Sequence, residues 1–126
     1  MERKSHKVFE NAISSMEDNM RNALISMLVL NELAHASCSI NEICDDIEER
    51  SNGNIKIGYP YQPIYRLMAQ GAVVEVESHI ARDGRRRKCY SITEYGRKML
   101  AEQVEVYRLY SKCTDDLLHP FGYGNP

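Results

Sequence analysis

Seven consecutive residues, Arg82-Asp83-Gly84-Arg85-Arg86-Arg87-Lys88, hold five cations and one acid. The whole chain carries 16 Lys+Arg against 18 Asp+Glu, a formal net charge of −2, so outside this segment acids outnumber cations by seventeen to eleven. Asp83-Gly84 is the strongest short signal for a tight β-hairpin. Positive charge concentrated at a hairpin tip makes chemical sense where the tip meets a phosphate backbone. The same charge would also serve a solvated turn that resists edge-to-edge aggregation, and charge alone weighs the two readings evenly.

Catalytic signatures are missing: there is no G-x-S-x-G, H-E-x-x-H or G-x-G-x-x-G. Gly53 and Gly58 have the spacing of a phosphate loop, but Tyr59-Pro60 follow where Lys and Ser/Thr are needed. Carboxylates such as Asp45 and Glu49 read as a solvated helix face. Cys38, Cys44, Cys89 and Cys113 contain no C-x-x-C pair, so they read as small apolar fillers rather than as a zinc knuckle or a disulfide framework. His35-x-x-Cys38 is a turn-spaced pair with no second pair nearby, and such a pair is packing more often than a ligand set. The chain is therefore expected to be no enzyme, with no catalytic residues, no cofactor and no metal.

The frame that must position the basic tip is small. At 126 residues and 14.5 kDa the chain is one domain, or one domain with an appendage. A chain of this size buries roughly two-thirds of its unfolded surface, so it folds without a metal or a disulfide. A composition of 43% apolar and 27% charged residues is that of a soluble globule, and a net charge of −2 excludes a histone-like polycation. No apolar run approaches the ~20 residues that span a bilayer, and the N-terminus has no apolar h-region. A soluble, cytoplasmic protein without a membrane partner is the expectation.

Residues 1–14 are polar and read as a flexible N-terminal arm, frayed or loosely helical. Ser15 precedes Glu17 and Asp18, an N-terminal helix signal, and Met16, Met20, Ala23, Leu24, Met27, Leu28, Leu30 and Leu33 then give the 3.6 period of a core helix. Ser39-Ile40-Asn41-Glu42 is a capping box ahead of an apolar stripe, Ile40, Ile43, Cys44 and Ile47, with Gly53 placed to end the helix. Ile55-Lys56-Ile57 suggests a very short strand. A third helix runs from about Pro60 to Gln70, starting one or two residues late because of Pro63, with Ile64, Leu67 and Met68 inward. From Ala72 the period becomes 2: Val74–Ser78 and Lys88–Ile92 read as the strands of the hairpin. Thr93 caps a last helix ending near Cys113 or Leu117. The tail 119–126 is expected to be disordered.

Two short helices followed by a basic hairpin form the winged helix-turn-helix arrangement, whose second motif helix enters the major groove. Its expected outward residues are Tyr59, Tyr61, Gln62, Tyr65 and Arg66. Gln62 has the amide that reads adenine, Arg66 suits guanine or a phosphate, and some of the tyrosines could equally pack inward.

Gly58-Tyr59-Pro60-Tyr61 with Ile64, Leu67 and Gly71, and then Arg87-Lys88-Cys89-Tyr90-Ser91-Ile92-Thr93-Glu94-Tyr95-Gly96-Arg97, resemble the PadR family of transcriptional regulators. In that family a Gly-Ser/Thr-Leu-Tyr-Pro segment opens the recognition helix, and Arg-Lys-Tyr-Tyr-x-Leu-Thr-x-x-Gly forms the second wing strand and the start of the last helix. The resemblance spans about residues 20–115. Cys89 departs from the second motif, Gln62 stands where the family has proline, and Ser37-Cys38-Ser39-Ile40 replaces a His-Gly-Tyr. The resemblance implies a dimeric regulator, usually a repressor, with Tyr61 a contact to the DNA backbone.

Met99, Gln103, Val106, Tyr110, Cys113 and Leu117 step along the last helix at the spacing of a helix–helix seam, and Tyr107 widens it. A lone wing domain has little surface left to cover such a seam, so it reads as a dimer interface in preference to a helix folded back on its own domain. The expected molecule is mainly α (α+β): a winged helix-turn-helix domain over 15–93 with a two-stranded wing, then a dimerisation helix over 94–118. Its expected function is that of a sequence-specific, homodimeric DNA-binding repressor relieved by a small-molecule effector. Arg85, Arg86, Arg87 and Lys88 would hold flanking double-stranded operator DNA, and half-site centres would lie about 34 Å apart or a multiple of that. The rival is a winged-helix protein-interaction module without DNA binding, favoured by the acidic second helix. Redox sensing through Cys113 is a third reading.

Overall fold

The computed structural model describes residues 2–80 and 83–118, with the side chains of 6–78, 80 and 83–118. The elements run α1 (Glu2–His35), α2 (Ile40–Arg50), α3 (Tyr61–Ala69), β1 (Val73–Ile80), β2 (Arg86–Ile92) and α4 (Glu94–Leu118). The expected order of three helices, a hairpin and a long last helix holds.

Local side chains set most boundaries. Ser39 Oγ accepts the Glu42 N–H at 3.3 Å while the Glu42 carboxylate accepts the Ser39 N–H at 3.0 Å, the reciprocal cap that starts α2. Asn52 and Gly53 leave the helix with φ of 54° and 78°. Pro60 is the N-cap of α3, so Pro63 is its third residue, where the missing N–H would have had no helical acceptor. The Thr93 hydroxyl donates to Gly71 O at 2.7 Å and accepts the Gly96 N–H at 3.0 Å, capping α4 and tying it to the end of α3.

The core lies where all these elements meet: Val29, Leu30 and Leu33 of α1, Ile40, Ile43 and Ile47 of α2, Ile64 and Leu67 of α3, Ala72, Val73 and Tyr90. Each fully buried aliphatic side chain contributes about 1.5–3 kcal/mol. At the rim, Arg50 Nη1 donates to the buried Glu32 carboxylate at 2.6 Å, fastening α2 to α1. β1 and β2 pair antiparallel from Val73↔Ile92 to Val76↔Cys89, with a register shift before His79. Cys38 and Tyr90 exchange backbone hydrogen bonds of 3.2 and 3.0 Å, which fixes the base of the wing beside the N-terminus of α2.

Several expectations need correction. Residues 2–14 take the helical alternative and form the first turns of α1, which no Gly or Pro interrupts. Ser15 therefore lies mid-helix, where there is no terminus to cap. Met16, Met20 and Ala23 are exposed rather than in the core; Met20 and Ala23 line an open groove between α1 and α4 instead. Ile55-Lys56-Ile57 forms no strand; Ile55 and Ile57 pack on the core individually. Val74 is exposed, and the residues that β1 buries are Val73 and its neighbour Ala72. Arg82 and the tail 119–126 lie outside the described residues. Cys38 and Cys89 are buried fillers as expected, whereas Cys113 is exposed. Burial and the nearby Asp45 and Glu48 push the half-buried Cys44 thiol up to about 11.

Candidate nucleic-acid interface

α3 lies at the surface with Ile64 and Leu67 inward and two polar edges outward. On one edge, Tyr61 and Tyr65 are exposed with ring centroids 6.1 Å apart. They border a hollow of about 340 Å³ whose other walls are Ser39, Ile40 and Asn41 at the start of α2 and Arg86, Arg87, Lys88 and Tyr90 of β2. Four sources of positive potential meet here: three cationic side chains and the N-terminal end of α2, whose first N–H groups and dipole favour an anion. The Tyr90 side chain is buried, and burial raises its phenol above the usual value.

The wing cations differ in how they are held. Arg87 binds the Asp83 carboxylate through Nε and Nη2, at 3.2 and 2.7 Å. These hydrogen bonds hold Asp83 below the usual carboxylate range and Arg87 above its own. Lys88 lies 3.8 Å from Glu75, a loose surface pair of small energetic weight. Arg86 Nη1 donates to Ser78 O at 3.4 Å, and Arg85, at the turn itself, is exposed.

The other edge of α3 carries Gln62 and Arg66. With Tyr59, which is 85% exposed, they border a second hollow of about 660 Å³ between α3 and α1. Arg21, Asn22 and Lys56 also line it. The residues expected to read DNA are thus split: Tyr61 and Tyr65 face the wing, while Tyr59, Gln62 and Arg66 face α1. Asn41, Lys56 and Arg21 line these hollows without having been singled out in the sequence. The capping box marked a helix N-terminus and so pointed toward Asn41; no local pattern marked Lys56 or Arg21.

Met99, Gln103, Val106, Tyr107 and Tyr110 of α4 face Met20, Ala23, Leu24 and Met27 of α1 across a groove of about 820 Å³. Cys113 and Leu117 lie exposed further along α4. Gln103 Oε1 is buried there with no hydrogen-bond partner. Among the described residues, no helix is long and apolar enough to cross a membrane.

Helices α2 and α3 followed by a hairpin with cations along one strand define a winged helix-turn-helix protein. Residues 29–102 match the transcriptional regulator PadR-like family. The match covers more than half of the chain, which belongs to that family. PadR-like regulators bind DNA. A PadR family transcriptional regulator from Eggerthella lenta shares the fold at 23% identity and a TM-score of 0.73, covering 89% of this chain and 96% of its own. A transcriptional regulator from Thermoplasma acidophilum does so at 26% identity and a TM-score of 0.65, with coverage of 81% and 96%. No curated protein matches the sequence.

Proposed function

We propose that the chain is a homodimeric repressor that binds operator DNA with α3 in the major groove and the wing on the flanking backbone. The observation that carries this reading is the hollow in which the α2 N-terminus, Tyr61, Tyr65, Arg86, Arg87 and Lys88 converge, on a chain whose net charge is −2. Concentrating cations against an overall negative molecule aims attraction at one face and repels nucleic acid from the rest. Tyr61 donates its phenol O–H to a backbone phosphate, and Gln62 and Arg66 reach base edges. The apolar faces of α1 and α4 pair with those of a second copy, which sets the spacing of two half-sites. A small molecule that changes that spacing relieves repression by favouring the dimer geometry that fits DNA less well.

Fluorescence anisotropy on duplex from the gene's own upstream region, across a salt series, tests this. Wild type binds with a steep salt dependence, and an Arg85/Arg86/Arg87→Ala variant flattens it. The rival, a protein-interaction module, draws on the exposed acids Asp45, Glu48 and Glu49 of α2. It is the reading left if neither protein binds that duplex or bulk competitor DNA at low salt.

A further inference from the structure

We infer that the hollow between α1 and α3 is a second phosphate site, in which Lys56 and Arg21 hold the DNA strand that the wing does not reach. This rests on the DNA-binding reading above and adds a site to it. A helix lying in the major groove has a phosphate ridge on either side, with a groove about 12 Å wide between them. The wing and the start of α2 face one ridge. The opposite edge of α3 opens onto Arg66, Lys56 and Arg21. The two hollows together are lined by six cations, Arg21, Lys56, Arg66, Arg86, Arg87 and Lys88, and by one acid, Asp18. In a chain with more acids than cations, this places like charge on both flanks of one helix. Two phosphate strands require that arrangement; a free phosphate needs only one flank.

The local structure suits the role. Lys56 is exposed on the connection between α2 and α3, where its long side chain is free to follow a phosphate. Arg21 is half-buried on α1 and bonded to Asp18, so its guanidinium is already held at the mouth of the hollow. Asp18, Arg21, Asn22 and Ile25 share one face of α1. Met20, Ala23, Leu24 and Met27, which face the α4 groove, occupy the opposite face, since two residues turn an α-helix by about 200°. The helix that carries the apolar seam would therefore also touch the DNA.

The test is anisotropy of the full chain on the same duplex across a salt series, with Lys56→Gln, Arg21→Gln and Asp18→Asn beside the Arg85/Arg86/Arg87→Ala wing variant. Each cation removed lowers the slope of log K against log salt by about 0.9 per protomer. Asp18→Asn acts in the opposite sense and tightens binding, because it removes the one acid lining the hollow and frees Arg21 from it. A salt slope that stays at the wild-type value in Lys56→Gln and Arg21→Gln, while the wing variant flattens it, overturns this site and leaves the DNA-binding reading standing. Wild type that binds no DNA overturns both. Weaker binding at an unchanged slope marks a structural role and also overturns the site. So does displacement of the duplex by inorganic phosphate at matched ionic strength, since the hollow would then be a free-anion site. If Arg21→Gln lowers the thermal midpoint, Lys56→Gln decides alone.

Discussion

Arg87 closes on Asp83 across the wing turn, with its Nη2 and Nε 2.7 and 3.2 Å from the same carboxylate oxygen, while the Arg85 N–H donates to the other oxygen at 3.0 Å. One acid therefore organises the turn and neutralises one of the wing's cations. The charge that the wing offers a partner is set by Asp83 as much as by the arginines. Asp83→Asn keeps a hydrogen-bonding side chain in the turn and releases Arg87. The expected result is tighter DNA binding with a salt slope steeper by about 0.9 per protomer, read by anisotropy. An unchanged slope would mean that this side of the wing never meets phosphate.

The same pair predicts a titration. Asp83 is held below its ordinary value of 3.8, first by the side-chain hydrogen bond from Arg87 and next by the Arg85 backbone N–H. A carboxylate whose folded pKa is depressed contributes its stabilisation above the unfolded value and loses it as pH falls through the depressed one. Wing order should therefore persist to a pH below 3.8. Carbon-detected NMR of the Asp83 carboxyl should place its midpoint under that value, and Arg87→Ala should move it back up. A midpoint indifferent to Arg87 would show that the pair does not form in solution.

Gly96 holds α4 against the start of β1. A Cβ added there would overlap the Ala72 carbonyl oxygen and come within 2.8 Å of Ile92 Cγ1. That same carbonyl already accepts the Thr93 N–H at 2.9 Å, so it has no room to retreat. Gly96→Ala gains about 1 kcal/mol of helix propensity but meets backbone, and overpacking of a tight contact costs about 1–3 kcal/mol or more. The net expectation is a lower thermal midpoint by calorimetry, with α4 tilted away from the wing. A midpoint at or above wild type would show that α4 docks less closely than this geometry requires.

What was legible in the sequence is what adjacent residues decide between themselves. The Ser39/Glu42 box, the Asp83-Gly84 turn and the Thr93 cap each rest on side chains bonding backbone within three residues, and each stands where the sequence placed it. Two features were not legible, for different reasons. The exposed stripe Phe9, Ile13, Met16 and Met20 has the same period as the core residues that follow it, and periodicity reports a face without saying what covers it. The α1–α3 hollow brings Arg21 beside Lys56 and Arg66, residues far apart in sequence that only the packing of α1 onto α3 unites.

That exposed stripe leads to the last prediction. Val8, Phe9, Ile13, Met16 and Met20 of α1 and Val106, Tyr107, Tyr110 and Leu117 of α4 are each at least 45% exposed in the isolated chain. So much apolar surface on two neighbouring helices marks an interaction face. A two-fold axis through it would let each stripe cover its copy. Tyr110→Glu places a charge in that seam at a position 68% exposed in the isolated chain, so the fold of each chain has nothing to lose. Light scattering should report a dimer for wild type and a monomer for the variant, with an unchanged circular dichroism spectrum. Operator affinity should fall steeply, because two half-sites are no longer engaged together and the effective-concentration advantage, often 10²-fold or more, is lost. A variant that stays dimeric would move the interface off this face, and a wild type that is monomeric at micromolar concentration would leave the stripe for a different partner.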